Sequence, residues 1–124
     1  ISDIISLHIP SNKNNINFLN KNKLSKIKKG SIFINTSRGD IVDEDFLYEL
    51  LKSNHLAGLG LDVLSDEFSG KKDWLEKNKL KKFAEKNENV IITPHIGGLT
   101  HQSVEKANNF IIDKFKNFVK DRTI

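Results

Sequence analysis

Apolar residues along the chain gather in four short runs, and between the runs they recur every three or four positions. The runs are Ile4–Ile9, stopped by Pro10; Ser31–Asn35, which follows Gly30; Ala57–Val63, which follows a turn; and Val90–Thr93, closed by Pro94. All are short and nearly continuously apolar, as strands buried on both faces of a parallel sheet are. The stretches between them read as helices. Asn20–Lys28 puts Leu24 and Ile27 on one side and stops at Lys29-Gly30. Asp43 is placed to cap a helix over Glu44–Ser53, with Phe46, Leu47, Leu50 and Leu51 as its stripe and Asn54 in the left-handed position beyond it. Asp73–Lys86 carries Trp74, Leu75, Leu80 and Phe83 among lysines. Thr100 caps a last helix in which Val104, Ala107, Ile111, Phe115 and Phe118 repeat at helical spacing.

Strand and helix therefore alternate four times, which predicts βαβ units and a parallel sheet with helices on both faces. Right-handed crossovers make an open, doubly wound α/β sheet the expected topology. No internal repeat or linker divides the chain, so its 124 residues are read as belonging to one domain.

Composition narrows the class. A hydrophobic fraction of 37% and a charged fraction of 29% suit a soluble globular protein. No apolar run nears the roughly 18 residues that span a membrane, and no signal-peptide pattern opens the chain. The chain has no cysteine, so disulfides and thiolate metal sites are excluded, and a reducing cytoplasm is the expected location. Of the four histidines, only His95 and His101 are close, and their spacing fits no helical metal pair, so no metal site is expected. The net charge of +4 comes from lysines in Asn20–Lys29 and Gly70–Lys86. They lie on solvated helix faces without interleaved aromatics, which argues against nucleic acid. The chain holds no methionine and starts within an apolar run, so it reads as a fragment.

Ligands of open α/β sheets bind beyond the carboxyl ends of the strands. Thr36-Ser37-Arg38-Gly39-Asp40 follows the second strand, Asp62 and then Asp66-Glu67 the third, and Pro94-His95-Ile96-Gly97-Gly98 the fourth. An arginine, carboxylates and a histidine thus emerge on one edge. Taken singly, each has a plainer role: a carbonyl cap or surface ion pair, a solvated loop carboxylate, a loop histidine. Together they suit hydride transfer to a 2-keto acid. The histidine gives or takes the proton on the substrate oxygen, and a carboxylate on its other nitrogen fixes the tautomer. The arginine's planar fork matches the substrate carboxylate.

Ser2–Pro10, Ile34–Gly39, Leu61-Asp62-Val63 with Glu67, and Thr93–Gly98 together resemble the D-isomer-specific 2-hydroxyacid dehydrogenases, nearest the phosphoglycerate dehydrogenase-like branch. The resemblance runs over nearly the whole chain and implies a partial Rossmann-type fold: the second half, about four strands with flanking helices. It implies catalytic roles for Arg38, Glu67 and His95. It also implies that Asp62 contacts the nicotinamide carboxamide. His8 and Pro10, with Thr36, Ser37, Arg38, His95, Gly97 and Gly98, would line the NAD site; for His8, a structural role at the strand end is an equal reading. NADP is left open. The implied substrate is a small 2-hydroxy or 2-keto acid, and the implied assembly is a homodimer. A non-catalytic Rossmann-like binding module is the competing reading.

The chain departs from the family pattern in two places. Phe68 stands where the family has proline after the glutamate, which leaves Asp66 as a possible substitute for Glu67. The Gly-x-Gly-x-x-Gly turn is absent; Gly58-Leu59-Gly60 lies inside a strand and opens no helix. Residues 1–124 are thus expected to be the C-terminal portion of a dinucleotide-binding domain, without its glycine-rich half or substrate domain.

Overall fold

The computed structural model describes residues 2–121. Strands β1 (Ile4–Leu7), β2 (Ser31–Asn35), β3 (Leu56–Leu61) and β4 (Val90–Ile92) form one sheet in the order β1-β2-β3-β4. Every neighbouring pair is parallel, so every connection is a crossover. Helix α1 (Lys21–Leu24) lies in the first crossover, α2 (Glu44–Lys52) in the second, and α3 (Trp74–Lys77) and α4 (Lys79–Ala84) in the third. Helix α5 (His101–Lys120) follows β4. The α/β alternation matches the sequence pattern, and the fold is Rossmann-type.

The caps explain the helix limits. Asp43 accepts the N–H of Phe46 at 3.0 Å and starts α2, and Asn54 stands at φ 54° just past its end. Thr100 caps α5 by accepting the N–H of Ser103. The Asp73–Lys86 pattern, read as one helix, is two. Asn78 has extended backbone (φ −66°, ψ 124°) and its side chain accepts the N–H of Lys81, which closes α3 and opens α4. A short polar side chain that can serve as a cap competes with helix continuation. Helix α1 is a single turn instead of the expected two, capped by Asn20.

The register places Ile5, Phe33, Leu59 and Val90 in one row across the sheet, with Leu7, Asn35, Leu61 and Ile92 in the next. These rows meet Leu24 of α1, Leu47 and Leu51 of α2 and Leu80 of α4 in one apolar core. The opposite face carries Ile4, Ile32 and Ile91, which are 60%, 40% and 65% exposed. Burial on both faces therefore does not hold within these residues. Strands added in one direction through right-handed crossovers put their helices on a single side; cover on the other side needs a reversal of strand order. Among the described residues no helix is long and apolar enough to cross a membrane, and no group of three or more potential ligands is placed to hold a metal ion.

Leu47 is fully buried between α2 and the sheet. Leu47→Ala should lower the unfolding free energy by about 2–5 kcal/mol, read by urea denaturation. A loss well below 1 kcal/mol would place Leu47 outside the cooperative core.

Candidate active site

Because all four strands run the same way, the segments following them gather at one edge of the sheet. Asn35 organises the second of these segments. It is 1% exposed at the end of β2, and its Oδ1 accepts the N–H and hydroxyl of Ser37 at 3.0 and 2.9 Å. Its Nδ2 donates to the carbonyl of Arg38 at 2.9 Å. This local turn presents Arg38 outward. The Arg38 side chain is exposed, its Nη1 donates to the carbonyl of Ser37, and it forms no ion pair among the described residues. Its fork is open to an anion. Gly39 follows, and a Cβ there would overlap the backbone of Leu64 and Ser65. Only glycine lets the arginine segment lie this close to the segment after β3.

Asp62 leaves β3 buried and receives donors on both oxygens. Thr93 Oγ1 and the N–H of Ile96 donate to Oδ1 at 2.5 and 2.9 Å, and the N–H of Gly97 donates to Oδ2 at 2.8 Å. Burial, the largest influence, pushes its pKa up. The Thr93, Gly97 and Ile96 hydrogen bonds, with His95 nearby, outweigh it and hold the carboxyl below the usual range. A Cβ on Gly97 would stand 2.8 Å from Asp62 Oδ2, so glycine is required for this approach. Asp62 therefore anchors the segment that bears His95, a task the sequence reading did not assign to it.

His95 itself sits in the left-handed region at φ 54°, a conformation a non-glycine residue holds only where its surroundings impose it. Its Nδ1 lies 3.0 Å from Glu67 Oε1. An ionised carboxylate only accepts, so Nδ1 carries the proton and Nε2 is left for other partners. The Glu67 side chain is 14% exposed and that of His95 33%, so the pair is shielded without being sealed. Asp66, the alternative acid, is paired with Lys71 at 3.1 Å; Glu67 is the residue that meets His95. Phe68, in the place of the family's proline, packs its ring edge-on at 5.9 Å from the His95 ring.

Arg38 and Glu67 share a cleft of about 270 Å³ with Phe68. A second cleft of about 490 Å³ is lined by His8, Pro10, Ser11, Thr36, Ser37 and Arg38. Here His8 is exposed, with Nε2 2.7 Å from Ser6 Oγ. Gly98 is exposed beside Gly97, and its carbonyl accepts the hydroxyl of Ser103. The structure thus puts His95 with Glu67, and Arg38 with Glu67. Asn35 and Thr93 escaped the sequence reading. The available signal for Asn35 was an asparagine closing a buried strand two residues before a serine.

Parallel strands in sequence order, with an acid-paired histidine beyond their carboxyl ends, make a Rossmann-type α/β domain with a polar site at the sheet edge. Residues 1–97 match the family model described as the NAD-binding domain of D-isomer-specific 2-hydroxyacid dehydrogenases. D-3-phosphoglycerate dehydrogenase of Escherichia coli (strain K12) is 40% identical over 105 residues, 85% of this chain and 24% of that protein. Glyoxylate reductase of Thermococcus litoralis is 36% identical over 119 residues, covering 96% of this chain and 33% of its own length. D-lactate dehydrogenase from Aquifex aeolicus, solved with NAD and lactic acid, superposes with a TM-score of 0.76 at 39% identity, over 97% of this chain and 38% of that one. The chain belongs to the D-isomer-specific 2-hydroxyacid dehydrogenase family. It spans about a quarter to two fifths of the length of these relatives.

A carboxylate held below its ordinary pKa in the fold adds stability that is complete above the unfolded value and is lost as pH falls through the folded one. Asp62→Asn should therefore be less stable than the parent at neutral pH, with the gap closing under acid. Unfolding free energies of both proteins, measured from neutral into the acid range, check this; a gap independent of pH would contradict it.

Proposed function

We propose that the chain carries the proton-transfer and carboxylate-binding residues of an NAD-dependent D-2-hydroxyacid dehydrogenase that interconverts D-2-hydroxy acids and 2-keto acids. The observation that carries this is the His95–Glu67 hydrogen bond, on the same sheet edge as an exposed Arg38 with no ion pair among the described residues. The family match and the NAD-bound structural relative support the cofactor. The cleft between the segments after β1 and β2 fits it, being open and lined by hydroxyl groups and a histidine with no acidic side chain. His8, Pro10, Thr36 and Ser37 would hold the nicotinamide half there, with Asp62, Gly97 and Gly98 on the other flank. When bound, NAD supplies the hydride acceptor for the carbon that carries the hydroxyl.

The chain's own residues handle the proton and the charge. In the oxidising direction neutral His95 takes the hydroxyl proton at Nε2, and in reduction the imidazolium returns it to the carbonyl oxygen. Glu67 accepts from Nδ1–H throughout, which keeps Nε2 facing the substrate and stabilises the cation. Arg38 grips the substrate carboxylate and polarises the neighbouring carbonyl. We read the chain as the C-terminal portion of its dinucleotide domain, in a homodimeric cytoplasmic enzyme; the absence of cysteine fits a reducing compartment.

The test is kinetic, on the full-length enzyme. His95→Ala should lower turnover by at least about 100-fold. Turnover like that of the parent would remove His95 from the chemistry. Arg38→Lys keeps the charge but loses the planar fork, so the Michaelis constant for the keto acid should rise; an unchanged constant would count against carboxylate binding by Arg38.

A further inference from the structure

The carboxylate of Glu44 joins three parts of the structure and takes no part in the proton transfer. Asp43 already caps α2, which leaves the Glu44 side chain free to turn away from its own helix. Its Oε1 accepts the N–H of Ser65 at 2.5 Å, and its Oε2 accepts Nδ2 of Asn78 at 3.3 Å. Ser65 is the first residue beyond the buried Leu64, and Glu67 lies two residues further on. Asn78 is the joint between α3 and α4. One side chain thus ties the start of α2 to the segment that delivers the acid and to the helix pair packed beside it.

We propose that Glu44 is a positioning residue for the Glu67–His95 pair, acting through the backbone at Ser65. The inference rests on the proton-transfer reading of that pair. The chain between Ser65 and Glu67 must bend sharply, with Asp66 in the left-handed region at φ 66°. Such a bend aims the next side chain reproducibly only if its entry point is fixed. Gly39 backs the entry on one side, and Leu64 is sunk in the core. Glu44 supplies the remaining constraint, a charge-assisted hydrogen bond to the N–H at the bend's start. Burial, above all, pushes the Glu44 carboxyl up, its hydrogen bonds to Ser65 and Asn78 pull it down, and the like charge of Glu67 pushes it up further. A part-buried acid next to a second acid is unfavourable in isolation, and here its oxygens are committed to the segment that carries the second acid.

The test is a double-mutant cycle in the full-length enzyme, with kcat, the Michaelis constant for the keto acid and the NAD dissociation constant measured for each variant. Glu44→Ala should lower kcat by roughly 10- to 100-fold, since small misplacements of a catalytic group have effects of that size. It should leave the NAD dissociation constant and the Michaelis constant within about twofold of the parent, because Asp62 and Arg38 are held by other contacts. In the Glu67→Ala background the same change should cost less than about twofold in kcat, because the group it positions is gone. Glu44→Gln keeps an acceptor for Ser65 and should recover most of the lost kcat. Glu44→Asp withdraws the carboxylate by one methylene and carries the same test if the alanine variant does not fold. A full Glu44→Ala loss in the Glu67→Ala background, or a parallel weakening of NAD binding, would make Glu44 a general support of the fold and overturn the proposal alone. Parental kcat in Glu67→Ala by itself would overturn the proton-transfer reading and this inference with it.

Discussion

Four parallel strands joined in sequence order leave little freedom in where their ends lie. Each connection must cross the sheet and return to the same starting edge, so the segments following β1, β2, β3 and β4 emerge side by side at the other. Arg38, Asp62, Glu67 and His95 come from three of those segments and are separated by up to 57 positions of chain, yet they share one edge. The proposed chemistry depends on this constraint before any side-chain contact is made. The core beneath it, from Phe33 and Leu59 to Leu47 and Leu80, keeps the strand ends in step.

Strand ends in step are not yet a site, because proton transfer needs placement within a fraction of an ångström. The structure reaches that placement with backbone contacts that only certain residues permit. Gly39 lets the arginine segment touch the backbone of Leu64 and Ser65, and Gly97 lets the histidine segment close on Asp62. Asp66 and His95 both hold left-handed backbone, one on each side of the Glu67–His95 bond. Non-glycine residues in that region carry strain, and it is sustained here by Asp62, whose donors come from Thr93, Ile96 and Gly97 around the histidine. Two buried or part-buried carboxylates that move no proton in the proposed reaction, Asp62 and Glu44, bond to the segments that carry His95 and Glu67.

The parts of this that were legible in the sequence have one-dimensional causes. Apolar runs ending at Pro10 and Pro94 mark β1 and β4, Asp43 and Asn54 bracket α2, and Arg38, Glu67 and His95 stand just beyond strand ends. The parts that were not legible depend on contacts between distant segments. Asn78 looks like one more polar residue in a lysine-rich helix until its side chain is seen capping Lys81. Ile4, Ile32 and Ile91 read as buried strand residues, since strand pattern does not tell which face the crossover helices will cover. Glu44 stands in the sequence only as the first residue of the helix that Asp43 caps, and the fold shows it reaching Ser65 and Asn78. Asp62 was legible as a strand-end acid, but its donors lie more than 30 residues away.

The proposed proton transfer depends on one protonation pattern: Glu67 accepts from Nδ1 of His95 and so leaves Nε2 to exchange the proton. Nitrogen-15 chemical shifts of the His95 ring in the full-length enzyme, recorded where the imidazole is neutral, measure this directly. A proton on Nδ1 and a bare Nε2 are expected in the parent, with that preference lost in Glu67→Ala. A proton on Nε2 in the neutral parent, or the same tautomer with and without the Glu67 carboxylate, would contradict it.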